Sequence, residues 1–132
     1  MRGLARVALG VVALLGGLGG GCGGGSDEGV FTQSVCPTVD PPTYDSFGRT
    51  FMERYCTECH DSAKTGALRQ DAPATIDFET LALLRMWTSP IDKQAAFGPA
   101  AENTNMPPAG NPQPTADERR RLGELIACEV AK

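Results

Sequence analysis

Two cysteines separated by two residues, with a histidine directly behind them, dominate this chain: Cys56-Thr57-Glu58-Cys59-His60. Thiols at this spacing serve as a thiol–disulfide redox pair, as half of a zinc site, or as attachment points for a c-type haem. A thioredoxin-like pair belongs in a βαβ unit, and no such alternation surrounds the motif. A zinc site needs further ligands, yet His60 is the single histidine in 132 residues. Haem attachment uses every residue type present. Two thiols add across two vinyl groups of one porphyrin edge, and the next residue brings an imidazole beneath the iron as proximal ligand. Cys56 and Cys59 are therefore the expected thioether residues and His60 the expected iron ligand, with one covalent haem c as cofactor.

The start of the chain reads as an export signal. Arg2 and Arg6 form a positive n-region, and Val7 to Leu18 is an apolar run of signal-peptide length. Gly10, Gly16 and Gly17 interrupt it, and it is short for a membrane-spanning helix of about 20 residues. Residues 1–21 are thus expected to be a signal peptide. Gly19-Gly20-Gly21 run into Cys22, an arrangement that resembles a bacterial lipoprotein signal, although Leu18 stands one place too early. Lipidation at Cys22 is the expectation; ordinary cleavage with Cys22 as a stray thiol is the alternative. Of the 16 glycines, 11 lie in the first 29 residues, so the glycine content belongs to a leader and a linker. Residues 22–35 are expected to be a flexible Gly/Ser-rich tether, in which the dozen residues from Gly23 to about Ser34 reach roughly 20 Å. Residues 36–132 are expected to form one small domain.

Within that domain the apolar spacing is helical. Pro37, Pro41 and Pro42 keep the entry extended. Thr43 or Asp45 offers an N-cap, and Phe47, Phe51 and Tyr55 share one face of a helix leading into Cys56. Asp77 is expected to cap a second helix through about Trp87, with Phe78, Leu81 and Leu84 as its apolar cover. Ser89-Pro90 is expected to open a third, carrying Ile91, Ala95 and Phe97 and stopping at Gly98. A loop from Pro99 to Pro114 holds five of the ten prolines. Thr115 and Glu118 then form a capping box for a last helix with Leu122, Leu125, Ile126 and Val130 on one face. No alternating strand pattern stands out, so the domain is expected to be all-α. The net charge of −4 and the lack of a basic stripe interleaved with aromatics argue against nucleic acid. The one basic run, Arg119-Arg120-Arg121, reads as a solvated helix face.

On these residues the domain resembles small monohaem class I c-type cytochromes, over roughly Thr43 to Lys132. The likeness rests on the helix leading into Cys56, Cys59 and His60, on a methionine-bearing loop, and on the terminal amphipathic helix. It implies a cytochrome c-like fold of about four short helices wrapped round the haem. It also implies that the first and last helices cross closely at Gly48, with Met52 where an aromatic is usual. Met106, in Asn105-Met106-Pro107-Pro108, is then the implied sixth iron ligand. A soft thioether favours ferrous iron, and the flanking prolines remove backbone freedom. Met52 and Met86 fall in expected helices and read as core filler. If the helices cross as in that family, Cys36 and Cys128 meet and form a disulfide; the alternative is two buried thiols. Trp87 reads as a core aromatic, with a haem-propionate contact as the alternative, and Arg69 and Pro73 are candidates for the haem edge.

The function implied is single-electron transfer with redox partner proteins, without catalysis, on the periplasmic side of a bacterial membrane. Gly23 after Cys22 leans toward the outer membrane. Two other readings stay open: a haem sensor or small-ligand enzyme with an open sixth site, and a disulfide-bonded lipoprotein without haem.

Overall fold

The computed structural model describes residues 29–130, and Val130 by its backbone alone. The expected signal peptide, the Cys22 lipidation site and the first part of the tether lie outside the described residues. Among the described residues the chain is helical with no sheet; the single bridge pairs Phe97 with Glu102. The all-α expectation holds at that level.

Thr43 caps the first helical stretch. Its hydroxyl accepts from the Ser46 N–H and the Ser46 hydroxyl accepts from the Thr43 N–H, a reciprocal box that satisfies two orphan donors. The wide π-type turns of Tyr44–Gly48 run into α1, Arg49–Tyr55. Phe51 and Met52 are buried there, with Phe47 and Tyr55 partly buried beside them. A 3-10 turn, Gly66–Arg69, lies in the loop after His60. Helix α2 is Leu81–Met86, shorter than expected and capped by Thr80, whose hydroxyl accepts from Leu83 N–H at 3.2 Å. Asp77 does not cap it, because its carboxylate is committed to Arg69 at 2.9 Å. Helix α3, Thr88–Ala95, starts one residue before Ser89 and ends before Phe97 and Gly98. Phe97 leaves it to donate its N–H to the Arg119 carbonyl at 3.0 Å.

The last helix, α4, spans Ala116–Val130. Its capping box forms as expected: Thr115 N–H donates to Glu118 Oε2 at 2.8 Å, and Glu118 N–H donates to Thr115 Oγ1 at 3.2 Å. Leu122, Leu125 and Ile126 enter the core together with Tyr44, Phe51, Met52, Leu84 and Ile91. Helix α4 packs on α3 and on the Tyr44–Gly48 turns. Gly48 permits the second approach, since a Cβ there would stand 2.8 Å from Leu125 Cδ2. Cys36 and Cys128 form a disulfide with Cα atoms 4.7 Å apart, tying the entry of the domain to the end of α4.

Three further expectations are corrected. Residues 29–35 do not form a free tether. Thr32 is 1% exposed, and its N–H and hydroxyl donate to the two Asp92 carboxylate oxygens at 2.9 and 2.6 Å. The Thr32 carbonyl accepts from Ala100, and Val30 O accepts from Asn103 Nδ2 at 2.8 Å. Its apolar residues Val30, Phe31 and Val35 stay exposed, so what holds the segment is hydrogen bonding rather than apolar burial, and no apolar pattern announces it. Arg119 is not on a solvated face but is 3% exposed, whereas Arg120 and Arg121 pair with carboxylates at the surface. Met86, expected in the core, is 69% exposed in the last turn of α2. No helix among the described residues is long and apolar enough to cross a membrane.

Candidate cofactor site

The Cys56–His60 motif continues the winding of α1. Cys56 N–H donates to Met52 O at 2.9 Å, and the N–H groups of both Cys59 and His60 donate to Cys56 O at 3.1 and 2.9 Å. Positions i, i+3 and i+4 of one helical turn share a face. Cys56, Cys59 and His60 are presented together for that reason. They line a cavity of about 650 Å³, within the range of ligand pockets. Its floor is buried and apolar, from Phe51, Phe78, Ile91 and Ala95, and exposed polar residues such as Arg54 and Gln70 stand at its mouth.

Met106 lines the same cavity, from the proline-rich loop, with Pro107, Pro108 and Pro112 around it. Met52 and Met86 do not line it, nor does Trp87, which packs partly buried against the core. The Trp87 Nε1 is buried without a hydrogen-bond partner among the described residues. The cavity thus joins the four residues expected to hold a haem, three on one turn and the fourth from a loop some fifty residues on. Pro73 lines it as well, while Arg69 stands behind its wall.

The His60 ring has a defined orientation. Its Nδ1 lies 2.9 Å from the Ile76 carbonyl, and the ring stacks at a tilt on Phe78 with centroids 4.7 Å apart. A carbonyl can only accept, so Nδ1 carries the proton and Nε2 keeps its lone pair. Burial lowers the His60 pKa below its ordinary 6.5, with the Ile76 carbonyl opposing. The neutral, ligating form is favoured at neutral pH. The chain returns to His60 because Phe78 N–H donates to His60 O at 3.1 Å, closing the 61–77 loop.

Arg69, 5% exposed, fills that loop. Its guanidinium donates to the carbonyls of Asp61 (2.8 Å), Ala72 (3.2 Å), Pro73 (2.6 Å) and Ile76 (3.0 Å). Asp77 Oδ1 stands 2.9 Å from Nη1 but makes no well-directed hydrogen bond, so the pair is an ion contact. Arg69, one of two candidates for the haem edge, does not line the cavity; it braces the wall that carries the His60 acceptor.

Burial disfavours the thiolate at both cysteines, pushing Cys56 up to about 12 and raising Cys59 as well. A thiol–disulfide exchange site needs the opposite shift. Among the described residues no three His, Cys, Asp or Glu side chains gather as ligands for an ion. The cavity gathers the donor set a c-type haem would need: two thiols and an imidazole from one turn, a thioether from the proline-rich loop, and a largely apolar lining. In comparisons with known proteins, no family model, curated protein or solved structure matches this chain.

Two residues at the site escaped sequence reasoning. Ile76 lines the cavity and acts on His60 through its carbonyl, a role that no side-chain pattern reveals. Arg119 donates to the Met106 carbonyl at 2.7 Å. Its signal was present, since Arg119 precedes Leu122 by three places and Ile126 by seven, on the buried stripe of α4.

Proposed function

We propose that this chain is a one-electron carrier of the cytochrome c kind, with one covalent c-type haem held by Cys56 and Cys59 and ligated axially by His60 and Met106. The observation that carries this reading is that those four side chains, and no other methionine among the described residues, line one cavity. When bound, the haem supplies an iron that accepts and releases single electrons. The protein residues do the rest. His60 offers Nε2 because Ile76 holds the proton on Nδ1. Met106 brings a soft neutral sulfur that favours the ferrous state. Phe51, Phe78 and Ile91 keep water from the cavity floor. Partners are redox proteins that approach the cavity mouth, and a lipid on Cys22 holds the domain on the periplasmic side of a bacterial membrane, the outer one by preference.

A second reading has one observation behind it. Met106 is 39% exposed, which suits a ligand that small molecules displace, as in a gas sensor or small-ligand enzyme. One experiment separates them: an oxidised-minus-reduced spectrum of the full chain, matured with c-type haem machinery, repeated under carbon monoxide. The carrier reading expects a low-spin spectrum with the sulfur-to-ferric-iron band, unmoved by the gas. It also expects that band to vanish in Met106→Ala but not in Met52→Ala or Met86→Ala. A high-spin spectrum that shifts under the gas moves the function to sensing or catalysis, and absence of covalent haem rejects both.

A further inference from the structure

We propose that Arg119 is the positioning residue that sets the Met106 thioether over the cavity, an inference that rests on reading Met106 as an iron ligand. The Met106 side chain is more than a third exposed, so packing alone does little to fix its sulfur. Its backbone is held instead on both sides. The Met106 N–H donates to Gln94 O on α3 at 2.8 Å, and the Met106 carbonyl accepts from Arg119 Nη1 at 2.7 Å. The same nitrogen also donates to Ala95 O at 2.9 Å and Asn103 O at 3.2 Å, so its two hydrogens are shared among three carbonyls. Nη2 takes Gln113 Oε1 at 3.0 Å. One planar fork on α4 thereby ties the end of α3 to both arms of the loop that carries Met106.

The cost of this arrangement supports a specific role. Arg119 is 3% exposed, and no carboxylate among the described residues lies within ion-pair distance of it. A buried cation without a counter-ion is expensive; its hydrogen bonds offset that, helped by the Phe97 ring 5.7 Å from the guanidinium. Every one of those bonds ends on the loop, on the end of α3 or on Gln113 within the same loop. A lysine in this place keeps the charge but, having no fork, cannot span carbonyls on opposite sides.

The test uses the full haem-loaded chain with Arg119→Lys, Arg119→Met and Gln113→Ala, and the exposed neighbour Arg120→Ala as control. Imidazole is titrated against the ferric protein, and its displacement of sulfur is read from the sulfur-to-iron band. Covalent haem is checked after denaturation, and exchange of the Met106 N–H is followed by NMR. Loss of one charge-assisted hydrogen bond corresponds to about tenfold or more in an equilibrium. Imidazole affinity and Met106 N–H exchange should therefore both rise by about that factor in Arg119→Lys and Arg119→Met, less in Gln113→Ala, and not in Arg120→Ala. Wild-type affinity and exchange in Arg119→Lys would overturn the proposal, even if Arg119→Met does not fold. A wild-type protein that lacks the band overturns the Met106 ligation itself; amide exchange in Arg119→Lys then still decides whether Arg119 holds the loop.

Discussion

The Ile76 carbonyl accepts from two side chains at once, His60 Nδ1 at 2.9 Å and Arg69 Nη2 at 3.0 Å. The two donors compete for one oxygen. A guanidinium that draws on the carbonyl weakens its pull on the imidazole proton, and so limits the electron density at Nε2. With the proposed haem bound, Arg69→Met should therefore lower its reduction potential. It should also cost about 3–5 kcal/mol of stability, because Asp77 is left buried and unpaired. A denaturant titration checks the stability and a redox titration the potential. Adding Asp77→Leu should recover most of the stability and none of the potential.

Gly48 faces Leu125 across the contact between the first helical stretch and α4. A Cβ there falls 2.8 Å from Leu125 Cδ2 and 3.1 Å from Tyr44 Cδ2, and both partners are buried. Alanine regains about 1 kcal/mol of helix propensity, which nearly offsets a small adjustment of Leu125. Valine adds two methyl groups in a filled space, so Gly48→Val should cost about 1–3 kcal/mol. Thermal unfolding measures it, and an unchanged melting temperature would reject close packing at this point.

The Cys36–Cys128 bridge joins residues 92 apart in sequence. In the chain-entropy account, a loop of that length contributes about 4–5 kcal/mol by restricting the unfolded chain. Cys36→Ser with Cys128→Ser should lower the denaturant midpoint accordingly, while leaving the spectrum of the proposed haem intact. A non-reducing peptide map should show the two cysteines linked; two free thiols there would exclude the bridge.

Glu118 works on two elements. Its carboxylate accepts from the Thr115 N–H and hydroxyl and from the Tyr55 hydroxyl at 3.0 Å, joining the start of α4 to the end of α1. The Thr115 N–H is the main reason its pKa lies below the ordinary 4.5. A carboxyl with a depressed folded-state pKa stabilises fully above its unfolded value, and that stabilisation is lost as pH falls through the folded one. Glu118→Ala should cost about 1 kcal/mol at neutral pH. The gap to the unsubstituted protein should narrow below pH 4.5. A gap that stays constant into acid would mean that the carboxylate charge contributes nothing.

Local signals determined much of this protein. The spacing of Cys56, Cys59 and His60 is a short-range fact, and one helical turn is enough to put them on one face. The Thr115–Glu118 box and the Leu122, Leu125 and Ile126 stripe are likewise local, and both appear where their periods place them. The tertiary structure decided what depends on carbonyls and on distance in sequence. Ile76 holds His60, and Asn103 and Met106 hold Arg119, through main-chain oxygens, which carry no residue-type signature. A linear reading puts Arg119 on a solvated face and makes Arg69 only a candidate for the haem edge, because a long side chain with a charged end is usually solvated. Here each is buried where several backbone acceptors converge, and only the folded chain brings those acceptors together.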